Sequence, residues 1–123
     1  MKPGLLPTLL LLALAAVRLH ADRWGNVVYS DNKGVSLQDA IVITGAKDDF
    51  ESTKAEYVYL RHHFPHFKLG RQSLLNNKSR DYDLLEFADT SGGNHKIYFD
   101  ISEGMQKFDA EMKQAPSSQP KSP

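Results

Sequence analysis

The chain has 123 residues, with 15 basic and 15 acidic side chains and a formal net charge of zero. This balance gives no electrostatic basis for binding nucleic acid, and we expect no nucleic-acid partner. No cysteine occurs, which excludes disulfides, thiolate metal sites and cysteine nucleophiles. The fold must therefore depend on its hydrophobic core.

The first 21 residues have the pattern of a cleavable export signal. Lys2 supplies a positive start, residues 5–17 are mostly apolar, and Ala21 is a small residue suited to the position before a cut. A stable membrane span needs about 20 apolar residues, more than this stretch provides. We predict cleavage after Ala21, export to the bacterial periplasm or exterior, and no stable membrane anchor after cleavage.

The remaining residues divide into one domain and a tail. Residues 22–113 contain no internal repeat and no linker rich in Pro and Ser, which predicts a single α+β domain. Residues 114–123 include three prolines and no large apolar side chain. Such a segment cannot bury enough surface to offset its ordering entropy, so we predict a disordered C-terminal tail.

The clearest periodicity in the domain predicts a long amphipathic helix after a buried strand at residues 40–43 and a brief strand at residues 27–29. Its apolar-to-neutral stripe recurs every three or four residues, at Ala46, Phe50, Thr53, Tyr57, Leu60 and Phe64. Lys54 and Glu56 fall between these positions and suit solvent. Asp48 and Glu51 have the spacing of a capping box, and Pro65 ends the helix.

Three strands are predicted next, at residues 67–75 with an interruption near Gly70, at 82–88 and at 95–101. Polar connections of hairpin length separate them. A short C-terminal helix is predicted from Ser102 as N-cap, with Met105, Phe108 and Met112 on one side. The expected architecture is α+β, with the long helix packed on a mostly antiparallel sheet that ends in a three-strand meander.

The histidines His62, His63 and His66 form the densest group of potential metal ligands. Imidazoles four residues apart on one helical face can share a metal ion, but Pro65 interrupts the helix between His62 and His66. The alternative is a polar helix end, where histidine suits the negative end of the helix dipole. We therefore predict no metal site, and a metal-binding protein remains an alternative.

Carboxylates are concentrated on one predicted strand, where Asp81 and Asp83 share a face and Glu86 points the other way. Paired carboxylates can act in general acid–base catalysis, whereas a solvated strand edge is the simpler interpretation. Ser73 lacks the glycine-flanked pattern of hydrolase nucleophiles. The sequence therefore predicts no catalytic residue and no cofactor. Its tyrosines and Trp24 suit either core packing or an aromatic binding surface.

Three groups of segments together resemble small exported bacterial proteins of uncharacterised function. They are residues 37–43 with 55–57, residues 72–75 with 82–86, and residues 97–102. The resemblance covers residues 29–108 and implies a bacterial envelope setting. It implies no activity, cofactor or catalytic residue.

These features favour a non-enzymatic binding or accessory module. Its expected partner is another envelope protein, a peptide or a glycan, held by an open face or edge of the sheet. A small exported hydrolase built on histidine and carboxylate groups is the alternative from a different class, beside the metal-binding hypothesis.

Overall fold

The computed structural model describes residues 22–114. The predicted signal segment and residues 115–123 of the predicted tail lie outside this range, while Gln114 is the last residue of a helix. The described chain is α+β, with a mixed sheet of six strands and two helices. The elements are β1 Arg23–Trp24, β2 Val27–Tyr29, β3 Ile41–Thr44, α1 Asp49–His63, β4 Lys68–Asn77, β5 Arg80–Ala88, β6 Asn94–Asp100 and α2 Ser102–Gln114.

The sheet has the strand order β1-β2-β3-β6-β5-β4, which leaves β1 and β4 at its edges. Neighbouring strands are antiparallel except for β3 and β6, which run parallel with Ile41 opposite Phe99. A parallel pair requires a crossover connection, and the chain between β3 and β6 supplies α1 and the β4–β5 hairpin. The sheet is therefore mixed.

Helix α1 begins and ends at local sequence signals. Oδ1 of Asp48 accepts a hydrogen bond from the Glu51 amide at 2.9 Å, as an N-cap residue should. The Glu51 carboxylate accepts from the Lys47 amide at 3.3 Å, one residue before the cap. At the other end Phe64 is the C-cap, directly before Pro65.

The face that α1 buries includes Leu60 of the predicted stripe but leaves Phe50 of that stripe exposed. Its buried residues are Ser52, Ala55, Glu56 and Leu60. Phe50 is 68% exposed and Glu56 is fully buried, so the predicted positions of these two side chains are wrong. The helix is turned so that Ser52 lies against α2, where a Cβ on Gly104 would overlap the Ser52 hydroxyl. Small residues at this crossing let the two helices approach closely, and Phe50 is left at the surface.

The core lies between α1 and one face of the sheet. Ile41 and Ile43 of β3, Leu85 of β5 and Phe99 of β6 are fully buried and meet Leu60 of the helix. Tyr59 contributes an edge-on contact to Phe99, with ring centroids 5.5 Å apart. Burial of these apolar surfaces is the main favourable contribution to the free energy of folding.

Helix α2 is tied to the loop that follows β3. The Glu103 carboxylate accepts from the Gly45 amide at 2.9 Å, and the Lys107 ammonium donates to the Ala46 carbonyl at 3.0 Å. The hydroxyl of Ser102 bonds Asp100 at 2.6 Å, so this predicted N-cap side chain serves the end of β6. In the part of the chain from 22 to 114, neither helix is long and apolar enough to cross a membrane.

Candidate functional site

A concave region of about 750 Å³ lies at the end of the sheet where β4, β5 and β6 run side by side. We call it the β4–β6 depression. Its lining consists of Lys68, Leu69, Gly70, Arg71, Glu86, Phe87, Ala88, Asn94, His95 and Lys96. Because all three strands contribute, the hydrogen-bonded backbone of the sheet holds these lining residues in place. The β5–β6 loop lies beside the depression.

The β4 side of the depression is an edge strand with a bulge. Leu69 pairs with Phe87 and Arg71 with Glu86, which leaves Gly70 as the extra residue. A Cβ at Gly70 would lie 3.3 Å from the Glu86 carbonyl oxygen, so glycine permits this close approach. The bulge lies where the sequence predicts an interruption. Leu69 is left 40% exposed beside the buried ring of Phe87.

The depression carries more positive than negative side chains. Glu86 is its only carboxylate among residues 22–114, and the two Glu86 oxygens lie 3.4 Å from the Lys96 ammonium and 3.9 Å from the Arg71 guanidinium. Lys68 is a third cation in the lining. Exposed pairs of this kind contribute about 0–1 kcal/mol each, so the cations remain free to meet another anion.

His95 is held at the rim of the depression by Asp89. The distance between His95 Nε2 and Asp89 Oδ2 is 2.7 Å, and the imidazole stacks on Phe87 with ring centroids 5.2 Å apart. The ring of Phe64 also packs on His95, with centroids 4.7 Å apart. The hydrogen bond from His95, aided by Ser91 and Gly93, holds the pKa of Asp89 well below its usual range. An ionised Asp89 only accepts, so Nε2 carries the proton.

The three histidines at the end of α1 do not converge. His63 bonds Oδ2 of Asp22 at 2.9 Å and stacks on Tyr59. The ring of His62 lies edge-on to the ring of His63. His66 occupies the turn after Pro65 with φ of 63°. Between residues 22 and 114 no group of three or more His, Cys, Asp or Glu side chains is arranged to hold a metal ion.

A smaller cavity of about 140 Å³ adjoins this helix end. Trp24, Tyr29, Tyr59, His62 and His63 are among its lining residues. Trp24 is 37% exposed, whereas Tyr29 is buried and donates its hydroxyl to the Ala55 carbonyl at 2.7 Å. Tyr29 therefore serves as packing, whereas Trp24 is partly open to solvent.

The carboxylates of β5 separate into different environments. Asp81 accepts from Asn76 at 3.0 Å near the surface, and Glu86 belongs to the β4–β6 depression. Asp83 is buried and adjoins Glu56 of α1. The structure thus brings Asp83 together with a residue that the sequence pattern directs to solvent, while Asp81 and Glu86 face other partners.

The Asp89–His95 pair has only a weak signal in the sequence. An aspartate two residues before Ser-Gly-Gly is typical of a side chain that closes a turn on its own backbone, as Asp89 does with the amides of Ser91 and Gly93. Nothing in that pattern predicts that His95 returns to the same carboxylate, because this requires the β5–β6 register.

Comparison with known proteins gives no match for this chain, whether among protein-family models, curated proteins or solved structures.

Proposed function

We propose that this chain is a non-enzymatic binding module of the bacterial periplasm or exterior. Its ligand is an extended acidic segment of another envelope protein, held at the β4–β6 depression. One observation carries the proposal: the lining of the depression combines three cations, Lys68, Arg71 and Lys96, with exposed Leu69, and Glu86 is the only carboxylate among its described residues.

The charge and shape of the depression support this class of partner. The side chain of Arg71 is 75% exposed and that of Lys96 is 66% exposed, so both can reach an incoming carboxylate. Exposed Leu69 and partly exposed Ala88 offer apolar surface beside them. An extended segment that alternates acidic and apolar residues presents the two kinds of side chain to opposite sides and matches both surfaces.

A peptide-binding measurement tests the proposal. The probe is a short dye-labelled peptide that alternates Glu with Val, and its counterpart carries Lys in place of Glu. Fluorescence polarisation should show binding of the acidic probe alone. The double substitution Arg71→Glu/Lys96→Glu should weaken it by about tenfold or more, which corresponds to about 1.4 kcal/mol.

The matched control is Lys54→Glu/Lys113→Glu, which makes the same change of charge at exposed positions of α1 and α2. It should leave binding of the acidic probe unchanged. Equal weakening by both double variants would mean that binding depends on the net charge of the chain and not on the depression, which would contradict the proposal. No binding of either probe would refute the proposal.

The hydrolase remains a second candidate because Asp89 holds His95 at 2.7 Å beside the depression. A carboxylate-held imidazole can act as a general base toward water through its free Nδ1. The binding proposal expects the chain to hydrolyse p-nitrophenyl acetate no faster than its His95→Gln variant. Turnover that depends on His95 would favour the hydrolase.

The exported setting is part of the proposal and has its own test. It is supported by the apolar stretch at residues 5–17 and by Ala21. Intact-mass measurement of the protein recovered from a bacterial envelope fraction should give a chain that begins at or near Asp22. Recovery of the uncut chain in the membrane would contradict export by cleavage.

A further inference from the structure

Glu56 is buried on the inner face of α1 without a donor. Its exposed fraction is 0%, and neither of its carboxyl oxygens has a hydrogen-bond donor among residues 22–114. An ionised carboxylate in such surroundings is strongly disfavoured, because nothing replaces the water that it loses. The side chain must therefore be neutral when α1 is packed on the sheet.

The group that faces Glu56 is a second carboxyl, that of Asp83 on β5. Asp83 is 4% exposed and adjoins Glu56 closely enough to share a hydrogen bond. Two carboxyl groups can form that bond only when one of them holds a proton, since carboxylate oxygens are acceptors alone. The absence of a donor to Glu56 and its contact with Asp83 both require that the pair of carboxyl groups holds a proton.

Neighbouring polar groups decide where the proton lies. Oδ2 of Asp83 accepts from the Gln72 amide nitrogen at 3.2 Å, and Oε1 of Gln72 accepts from the Tyr57 hydroxyl at 2.6 Å. This chain of donors stabilises a charge on Asp83 and leaves the proton on Glu56. Burial, and then the carboxyl of Asp83, raise the pKa of Glu56 well above its usual value.

The other titratable groups that face Glu56 are tyrosines. Tyr29 of β2 and Tyr57 of α1 both interact electrostatically with it. Burial, with smaller contributions from Asp22, Tyr59 and Glu56, raises the pKa of Tyr29 to about 12. No lysine, arginine or histidine of the described chain contributes to the pKa shift of Glu56. A negative charge there has no cation to neutralise it.

We propose that Glu56 and Asp83 share one proton across the interface of α1 and β5, and that this proton is a pH-sensitive lock of the helix on the sheet. Loss of the proton at alkaline pH places two adjacent carboxylates in the interior and releases α1. The lock is independent of ligand binding at the β4–β6 depression.

The sign of the pH effect follows from linkage. Below the unfolded pKa of glutamate, about 4.3, both states hold the proton and the stabilisation is fully present. Above it the unfolded chain releases the proton while the folded chain keeps it. Stability therefore falls as the pH rises, by up to about tenfold per pH unit in the unfolding equilibrium constant, until Glu56 itself ionises.

The first test is a direct titration of the full chain by carbon-13 NMR. The Glu56 carboxyl resonance should titrate well above pH 4.3, the unfolded value of glutamate, and the resonance of Glu111, exposed on α2, is recorded alongside it as the reference. Asp83→Asn removes the like charge and should lower the Glu56 midpoint. A Glu56 midpoint near that of Glu111 would overturn the proposal even if every variant failed to fold.

The second test compares urea unfolding of the unmodified chain and Glu56→Gln across acidic to alkaline pH. The ratio of their unfolding equilibrium constants should grow with pH in favour of the glutamine variant, whereas Glu111→Gln should follow the unmodified chain. A constant ratio would contradict the lock. Stabilisation of the unmodified chain at alkaline pH by Ca²⁺, but not by choline chloride, would also contradict it, since a metal ion would then occupy the place of the proton.

Discussion

Asp89 closes the β5–β6 hairpin by bonding both its own loop and His95. Its Oδ2 lies 2.7 Å from His95 Nε2, and its Oδ1 accepts from the amides of Ser91 and Gly93 at 2.9 Å each. One carboxylate therefore fixes the loop and orients an imidazole at the rim of the β4–β6 depression. Because the side chain is ionised, these bonds are charge-assisted.

The first prediction concerns this carboxylate. Asp89→Ala should lower the melting temperature at neutral pH, and Asp89→Asn should lower it less because the amide oxygen still accepts. The pKa of Asp89 is below its usual value, so its contribution is present above the unfolded pKa of about 3.9 and is lost as the pH falls through the folded value. The deficit of both variants should therefore shrink in acid.

Thermal unfolding followed by circular dichroism gives the comparison, with Thr90→Ala in the same exposed loop as the control. A deficit for Asp89→Ala that persists unchanged in acid would show that the carboxylate acts only through its shape.

The second prediction concerns the orientation of α1. Leu60 is fully buried, so Leu60→Ala should cost about 2–5 kcal/mol of unfolding free energy. Phe50 is 68% exposed, and its ring lies edge-on to that of Phe108 of α2 with centroids 6.3 Å apart. Phe50→Ala should cost much less than Leu60→Ala, and Lys54→Ala should stay within about 0.5 kcal/mol. Urea melts in which Phe50→Ala costs as much as Leu60→Ala would mean that Phe50 is buried together with Leu60, as the sequence stripe predicts.

The α+β class could be predicted from the sequence because its signals are local. Asp48 caps α1 and Pro65 follows its last turn, and both act within a few residues of the helix ends. Apolar alternation marks Ile97 and Phe99, which the structure buries. The pairing of β3 with β6 could not be predicted from the sequence, because its register is set by residues more than fifty positions apart.

The candidate sites could be predicted less well, for a different reason. Hydropathy treats glutamate as charged, so a pattern directs Glu56 to solvent, whereas the structure buries it next to Asp83, and burial raises its pKa well above the usual value. Two stripes compete on α1, and the one with larger side chains, including Phe50, is not the one that fits against Gly104. Protonation and helix crossing are properties of the assembled fold, not of any single segment.

The third prediction concerns metal ions. His63 is bonded to Asp22 and His66 lies beyond the helix end, so zinc at micromolar concentration should not raise the melting temperature of the chain. Nickel should behave in the same way. A thermal shift with Zn²⁺ that is lost in His62→Ala or His66→Ala, and that fades below about pH 6.5 as imidazole protonates, would establish the metal-binding alternative.

The last prediction concerns the ion pair of Arg80 and Asp100, whose Nε and Oδ2 atoms are 2.7 Å apart. Burial alone raises the pKa of Asp100, but the guanidinium of Arg80 and the hydroxyl and amide of Ser102 outweigh it and hold the pKa below its usual value. The Asp100 side chain is 5% exposed and that of Arg80 is 49% exposed. Arg80→Ala should therefore cost about 1.5 kcal/mol at neutral pH, near the low end for a hydrogen bond to a charged group because water partly screens Arg80.

That cost should be fully present above the unfolded aspartate pKa of about 3.9 and should diminish as acid protonates Asp100. Arg71→Ala is the matched control, since the Arg71 side chain is 75% exposed and its Nε lies 3.9 Å from Glu86, and the variant should stay within about 0.5 kcal/mol. Urea unfolding at neutral and acidic pH measures the cost of Arg80→Ala and of Arg71→Ala. Equal costs would mean that the burial of Asp100 adds nothing to the pair. A cost of Arg80→Ala that does not change in acid would mean that the arginine stabilises the end of β5 through packing of its aliphatic stem.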